Sequence, residues 1–548
     1  MEETLHSHRK AATDTLAGDP FGAVAYILLL IAALTLPFPY GGVTGDEALR
    51  LELLAFGAGA FTALSRRSRA PLGSGWIPAA CLGGIATLGL FQLAPLPRGV
   101  LGLVSPESLA VWSRAAGVLA LYGRAAPHAV VSLAPSETKG VVLLTLAYAV
   151  LFVCAALLTQ TRPRRRLLLV ALLAAALAEI GYALASTETL ERLHGSFINP
   201  NNFAGYLQIA LALAFGLLWY ELRTGRHRRH GESRATRMER RIVPVSLAVL
   251  LWGAIAAAIG LSRSRGGVLA ALLTVPLLVF LAVQHRRQGA RAALGIVLAL
   301  LMAAAFAATI TRDGPLERFL GADPSELGSE GRVRIWRASL QAFRMYPLAG
   351  SGLGTFREAF RPVQPRGFDG LVEQAHDEPL QILVTGGVLG FALAAAVIGT
   401  AFALLWRGLF RQRHREESAY VLAAIGALFA LMLHGLVEFN FSLAAVPATL
   451  AMLVGVAWSA AEWREGPEAA ASARLAKRRR RSRRRDEGGA EEDRGGSGER
   501  RDPEETAPRQ SVEKNLELRV VLDDESPDPA AVPSVREERR GRRLESHA

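Results

Sequence analysis

Apolar positions run through this chain in blocks rather than stripes. From residue 21 to 463, long apolar runs alternate with short arginine-rich connections; from 464 to 548 the sequence is almost all Arg, Glu, Asp, Gly, Pro and Ser. A hydrocarbon layer about 30 Å thick is crossed by about 20 helical residues at about 1.5 Å each. Helices of a water-soluble core would keep a polar face at helical spacing, whereas these runs are apolar on all sides. The pattern predicts spans at 21–40, 49–64, 76–96, 138–160, 167–186, 203–220, 242–261, 266–283, 291–310, 379–406, 418–437 and 440–460. The expected fold class is all-α: a polytopic membrane bundle of about twelve transmembrane helices, with a short N-terminal segment (1–20), a large outer loop (311–378) and a disordered charged tail (464–548).

Orientation follows from the arginines, which favour the cytoplasmic side of short loops. Arg66, Arg67 and Arg69 follow the second expected span, Arg162 and Arg164 to Arg166 the fourth, and Arg223, Arg226, Arg228 and Arg229 the sixth. Arg286 and Arg287 follow the eighth, and Arg407, Arg411, Arg413 and Arg415 the tenth. Every even-numbered connection is basic, so those loops and both termini are expected in the cytoplasm. Segments 41–48, 97–137 and 311–378 are expected on the opposite, outer side.

Composition refines this picture in three places. Of 548 residues 51% are hydrophobic, and the net charge of +13 lies in the loops, because the tail nearly balances its arginines with acids. Orientation and anionic lipid headgroups account for that excess, and no nucleic-acid partner is needed. The run Lys477 to Arg481 is expected at lipid or in solvent, and 516–522 is the one stretch of the tail with a strand-like pattern. The two cysteines, Cys81 and Cys154, both fall in apolar spans, so no disulfide framework or metal spacing follows. The first apolar run ends in Pro-Phe-Pro rather than a small-residue cleavage site, so it is read as a retained helix. No nucleotide fingerprint or cofactor motif is present.

Four polar clusters lie at the expected outer ends. The first, 195–203, carries Asn199, Asn201 and Asn202 around Pro200 and is either a helix cap or a shaped polar loop. The second, 261–267, places Arg263 and Arg265 in a short outward turn, either snorkelling to headgroups or holding an anion such as a phosphate or pyrophosphate. The third, 332–346, repeats Val333, Trp336, Leu340 and Phe343 on one face and Arg334, Arg337, Gln341 and Arg344 on another. It is expected as an amphipathic helix on the membrane surface, an anchor or a basic wall over a lipid-phosphate pocket. Pro347 ends it, and 350–354 reads as a flexible glycine turn. The fourth, 374–379, sets His376 beside Asp377 and Glu378, either a solvated cap or a general base oriented by a carboxylate. A similar turn holds His434, Glu438 and Asn440, and Glu179 is an acid in the outer half of the fifth expected span.

The order of these residues resembles a known family. Gly-x-Phe-x-Asn-x-Asn-x-Phe-Ala from Gly195 is followed by Ser264-Arg265-Gly266. Then come Gly331-Arg332, Trp336, Pro347 and Gly352-x-Gly354-x-Phe356, and finally Ala375-His376-x-x-x-Leu380-Gln381. Over 195–441 this is similar to the O-antigen ligase/O-antigen polymerase superfamily. The resemblance implies a C-type helical glycosyltransferase that uses an undecaprenyl-diphosphate-linked glycan donor and needs neither metal nor nucleotide. It implies that His376 takes the proton of an acceptor hydroxyl. Arg265, with Arg263, Arg332 or Arg334, would hold the leaving diphosphate, and Asn199 and Asn201 belong to the substrate-binding set. The acceptor would be a growing glycan, lipid A-core or a protein. Two positions depart from the common pattern: Asp377 stands where Asn is frequent and Asn202 where His is frequent, and both bear on acceptor identity. The rival readings are a transporter of lipid-linked saccharides, for which the spans look too free of polar or broken-helix sites, and a non-catalytic scaffold that docks partners through its tail.

Overall fold

The computed structural model describes residues 18–42, 44–66, 72–186, 192–224, 233–284, 329–368 and 370–462. The expected span at 291–310, the first part of the outer loop, the chain before residue 18 and the whole charged tail lie outside the described residues, as does 516–522.

Every regular element among the described residues is a helix. In chain order these are α1 (Pro20–Thr35), α2 (Gly45–Leu64), α3 (Trp76–Leu93), α4 (Arg98–Val104), α5 (Pro106–Leu121), α6 (Pro135–Leu158), α7 (Arg162–Ser186) and α8 (Pro200–Thr224). They continue with α9 (Arg234–Leu261), α10 (Arg265–Gln284), α11 (Ser329–Met345), α12 (Phe356–Phe360), α13 (Glu378–Arg411), α14 (Arg415–Gly435) and α15 (Ala445–Ala461). Among the described residues, eight helices are long and apolar enough to cross a membrane, and α1 and α15 are shorter apolar helices. The expected second span forms a helix, α2, that falls short of that apolarity: its first two turns carry Asp46, Glu47, Arg50 and Glu52. The expected outer segment 97–137 is itself partly helical, as α4 and α5.

The bundle is organised around α14, which packs against α8, α10, α13 and α15. Small residues let the axes approach. A Cβ at Gly216 of α8 would lie 2.7 Å from the Ala419 carbonyl, and one at Gly455 of α15 would lie 2.5 Å from the Phe152 carbonyl. This is the packing expected where lipid tails are as apolar as leucine and close contact replaces hydrophobic drive. Leu167, Val170, Leu177 and Leu184 of α7 stay exposed, as do Leu247 and Leu250 of α9 and Leu269, Leu273 and Phe280 of α10. Such apolar surface suits lipid rather than water.

Charge concentrates at the two ends of α14. At its start, Glu417 is wholly buried and accepts from Arg162 Nε at 2.7 Å and Arg165 Nη2 at 3.2 Å. Glu416 accepts from Arg166 Nε at 2.6 Å and from the Tyr420 hydroxyl at 2.6 Å. Three of the arginines expected to face anionic lipid are thus engaged by acids of the protein itself. At the far end of α14, about 30 Å of helix away, lie the polar clusters described below.

Helix α13 is broken. Gly387 has φ 63° and ψ −165°, which opens a turn one-third of the way along an otherwise apolar helix. The expectation of clean spans therefore fails here, and the freed backbone groups find partners within the protein. Val388 N donates to Pro347 O (2.9 Å) and Leu389 N to Leu348 O (3.2 Å), while Ser351 N and Gly352 N donate to Val384 O (3.0 Å) and Thr385 O (3.1 Å). Gln92 of α3 completes the joint: its Nε2 donates to Ala349 O at 2.6 Å and Thr385 O at 3.0 Å, and its Oε1 accepts from Leu353 N at 2.9 Å. The glycine turn read as flexible is instead buried and hydrogen-bonded, because its backbone substitutes for a missing turn of helix. Gly350 (φ +73°) sits against the Thr385 carbonyl and leaves no room for a Cβ.

Two stability predictions arise from these contacts. Glu417→Gln removes the buried carboxylate that Arg162 and Arg165 share and is expected to cost about 3–5 kcal/mol, read as a lower unfolding temperature in detergent; Arg165→Met with Glu417→Leu should recover most of the loss. Gly350→Ala combines about 1–2 kcal/mol of left-handed backbone strain with a clash against Thr385. It should sharply reduce the amount of folded protein recovered from membranes.

Candidate active site

The chain from α10 to α13 delivers two of the polar clusters. Helix α11 is seated through Ile335, Ala338, Ala342 and Tyr346 on a small core with Phe356, Phe360, Ala375 and Val384. This differs from the expected apolar face. Of the bulky stripe, Val333 and Leu340 are exposed while Phe343 stays partly buried against this core, because the Ile335–Ala338–Ala342 side of the helix is the one that faces it. Seating α11 this way carries Arg332 to one end of the bundle.

His376 arrives on the residue before the α13 cap. Asp377 is the N-cap, its carboxylate accepting from Leu380 N at 2.7 Å, with Pro379 in the first turn. Burial moves the Asp377 pKa up, with the Leu380 amide opposing. The Ala375 amide donates to Gln381 Oε1 at 2.7 Å, and Gln381 Nε2 donates to Gln374 Oε1 at 2.7 Å. His376 itself has φ 51°, a conformation uncommon outside glycine, held by these neighbours. Its ring stands edge-on to Phe439, with centroids 4.9 Å apart.

The carboxylate that meets His376 is neither of its sequence neighbours. Glu438, in the turn after α14, accepts from three sources. Its Oε2 lies 3.4 Å from His376 Nδ1, and its Oε1 takes Asn201 Nδ2 at 2.6 Å and an ion pair with Arg332 Nη2. Its side chain is 1% exposed, against 16% for His376 and 26% for Arg332, so the carboxylate forms the floor of the cluster. Burial alone would raise the Glu438 pKa. The His376 hydrogen bond and the charges of Arg332, His376 and His434 outweigh it and hold the carboxyl below its ordinary value.

The asparagine and arginine turns join this cluster through Arg192. Its Nε donates to Ser262 O at 3.3 Å and its Nη2 to Asn201 Oδ1 at 3.2 Å. Asn199 closes the first turn of α8, its side chain accepting from Asn201 N at 2.9 Å, the capping alternative for this residue. Asn202 is buried and reaches Asn440 Oδ1 at 3.4 Å. Glu179 holds the entry to the same loop, accepting from the Ser196 hydroxyl at 2.6 Å and amide at 2.8 Å. In the next turn the hydroxyls of Ser262 and Ser264 point inward and tie the backbone. Arg263 and Arg265 are left exposed, with no hydrogen-bond or ion-pair partner among the described residues. Beneath them Gly266 packs directly on the buried His434 ring.

Of the residues singled out by sequence, the structure brings His376, Arg332 and Asn201 onto one carboxylate, with Asn199 and the Arg263–Arg265 turn beside them. Arg334 is elsewhere: its guanidinium bonds the Arg366 carbonyl and stacks on Phe368, 5.0 Å from the ring centre. Glu438 and Arg192 are the components that sequence reading did not assign. The signal for Glu438 was an acid in a short turn between apolar spans, flanked by His434 and Asn440. Nothing comparable marked Arg192.

Comparison with known families then bears on the same region. Residues 248–395 match the family model described as O-antigen ligase. This segment belongs to the O-antigen ligase family. It contains Arg263, Arg265, Arg332, Arg334 and His376, while Asn199, Asn201 and Glu438 lie outside the matched residues. The O-antigen ligase match, with the apolar helices, describes a multi-pass membrane protein of O-antigen ligase or polymerase type in polysaccharide biosynthesis. No curated protein matches the chain.

The low Glu438 pKa makes a signed prediction. Its contribution to stability should be complete above the ordinary carboxylate pKa of about 4.3 and vanish as the pH falls through its depressed value in the folded protein. Unfolding temperatures of wild type and Glu438→Gln, measured in detergent, should therefore differ most near neutrality and converge in acid.

Proposed function

We propose that this protein transfers a glycan from a polyprenyl-diphosphate carrier to an acceptor hydroxyl at the periplasmic face of a bacterial inner membrane. The observation that carries this reading is the convergence of His376, Arg332 and Asn201 on buried Glu438, beside two exposed arginines, Arg263 and Arg265, at the same end of the bundle. The O-antigen ligase match supports the donor class, and the basic residues at the start of α14 support a cytoplasmic location for the opposite end.

The residues divide the chemistry. With Nδ1–H donating to Glu438, the His376 ring presents the Nε2 lone pair to an acceptor hydroxyl. As the hydroxyl oxygen bonds to the anomeric carbon, its proton passes to Nε2 and the bond from that carbon to the diphosphate oxygen breaks, with inversion. The diphosphate leaves as an anion, and Arg263, Arg265 and Arg332 supply charge where it develops. Asn201, held by Arg192 and Glu438, and the loop capped by Asn199 line the approach to the base. Arg334, at the other side of α11, orders the 366–368 segment. The outward Val333–Leu340 stripe of α11 suits the membrane surface and keeps the site at the headgroup layer.

A transporter reading receives less support. The break in α13 resembles a transporter feature, but its backbone groups are filled by the 347–353 segment rather than left to line a cavity.

The test is complementation of a host lacking this gene with wild type, His376→Ala or Arg265→Ala at matched membrane levels. Each variant is expected to lower surface glycan at least about 100-fold, the range for losing a general base or an oxyanion donor. Accumulation of long lipid-linked chains identifies a ligase, and accumulation of single repeats identifies a polymerase. Normal glycan from both variants would remove the catalytic reading.

A further inference from the structure

One carboxylate serves both halves of the proposed reaction. Glu438 receives the base, His376, on one oxygen, and a member of the diphosphate clamp, Arg332, on the other. The two contacts are unequal: Arg332 makes a tight ion pair, while His376 stands at the long end of hydrogen-bonding distance, 3.4 Å. Arg332 is also under-used, since its buried Nε has no hydrogen-bond partner. It lies nearer the surface than Glu438, so an anion entering the site meets the guanidinium first and the carboxylate stays behind it.

We infer that Arg332 is shared between Glu438 and the donor's diphosphate, so that donor binding transfers Glu438 to His376 and strengthens the base. This rests on the donor class proposed above. A diphosphate diester brings two negative charges and has no ionisation in the neutral range. Whether Arg332 bridges the two anions or swings to the diphosphate, its field on Glu438 is offset. The Glu438 charge then acts on His376 with less opposition and favours the protonated imidazole.

The other ionisable groups around the pair do not replace Arg332. On the α13 side Asp377 is committed to capping Leu380, and Glu378 accepts from the Phe441 amide at 2.6 Å. On the α14 side His434 is fully enclosed, beneath Gly266. Arg192 is committed to Asn201 and Ser262, and Arg263 and Arg265 are exposed on the adjacent turn. Among the described residues, Arg332 is therefore the cation through which an incoming anion reaches Glu438. By reciprocity, a protonated His376 also tightens the hold on the diphosphate.

The experiment follows His376 directly, without reading transfer. The full chain in detergent is treated with diethyl pyrocarbonate across a pH series, and His376 modification is quantified by mass spectrometry, with and without saturating dimethyl diphosphate methylated at both ends. Saturation is established by calorimetry. Wild type should show its midpoint raised by about one pH unit on ligand addition, the size expected when an opposing charge is neutralised nearby. Arg332→Lys keeps the charge and should retain the shift. Arg332→Gln should start from a raised midpoint and shift by less than half as much. Equal shifts in all three proteins, no shift in wild type with ligand bound, or no binding at all would each overturn the inference. A chain that shows the Arg332-dependent shift yet transfers no glycan in the host would instead remove the proposed function and leave the coupling standing.

Discussion

A turn of helix cannot be opened inside an apolar bundle unless something replaces its hydrogen bonds. An unpaired peptide group away from water costs about 2–7 kcal/mol, and α13 opens several at Gly387. The replacement is a set of four backbone hydrogen bonds from the 347–352 segment, completed by the Gln92 side chain. Irregular backbone is tolerated at this depth only where protein covers it. The rest of the site depends on that joint: the segment that fills the break follows directly on α11, and the helix it repairs begins at the His376 cap. Arg332 and His376 are thus carried by two elements locked to each other by backbone geometry rather than by side-chain packing alone.

The second constraint is electrostatic. A carboxylate as enclosed as Glu438 stays ionised only when charge and hydrogen bonds are supplied to it, and three residues from three different stretches of chain do so. Each of the three is useful to the proposed chemistry in its own right. The carboxylate therefore sets distances among groups that no local structure relates. The start of α14 shows the same principle used for stability: Glu416 and Glu417 gather Arg162, Arg165 and Arg166 where no reacting group is at hand. One helix carries an acid cluster at each end, one inert and one placed where chemistry can happen.

Apolar blocks of sufficient length fix helices with little help from context, because a spanning segment must satisfy its own backbone. Expected spans such as 138–160, 242–261 and 266–283 accordingly coincide closely with α6, the apolar part of α9 and α10. The caps were readable for the same local reason: Asn199 before Pro200, and Asp377 before Glu378-Pro379, each satisfy amides within three residues. Orientation of α11 was not readable. Its sequence offers two apolar stripes, and Val333 and Leu340 of the bulkier one stay outside because the Ile335–Ala338–Ala342 stripe fits the core formed by Phe356 and Phe360.

What the sequence determined by itself was the helical membrane class and the roster of polar residues available for chemistry, since length and apolarity are short-range properties. Tertiary structure alone decided which of those residues meet. His376 stands beside two acids in sequence and uses neither; Glu438, 62 positions away, is its partner. Arg332 and Arg334 are two residues apart, yet helical geometry turns one to Glu438 and the other to Phe368. Partner choice depends on how helices distant in sequence are stacked, and that is decided by the small residues along α8 and α14 and by the mended break in α13.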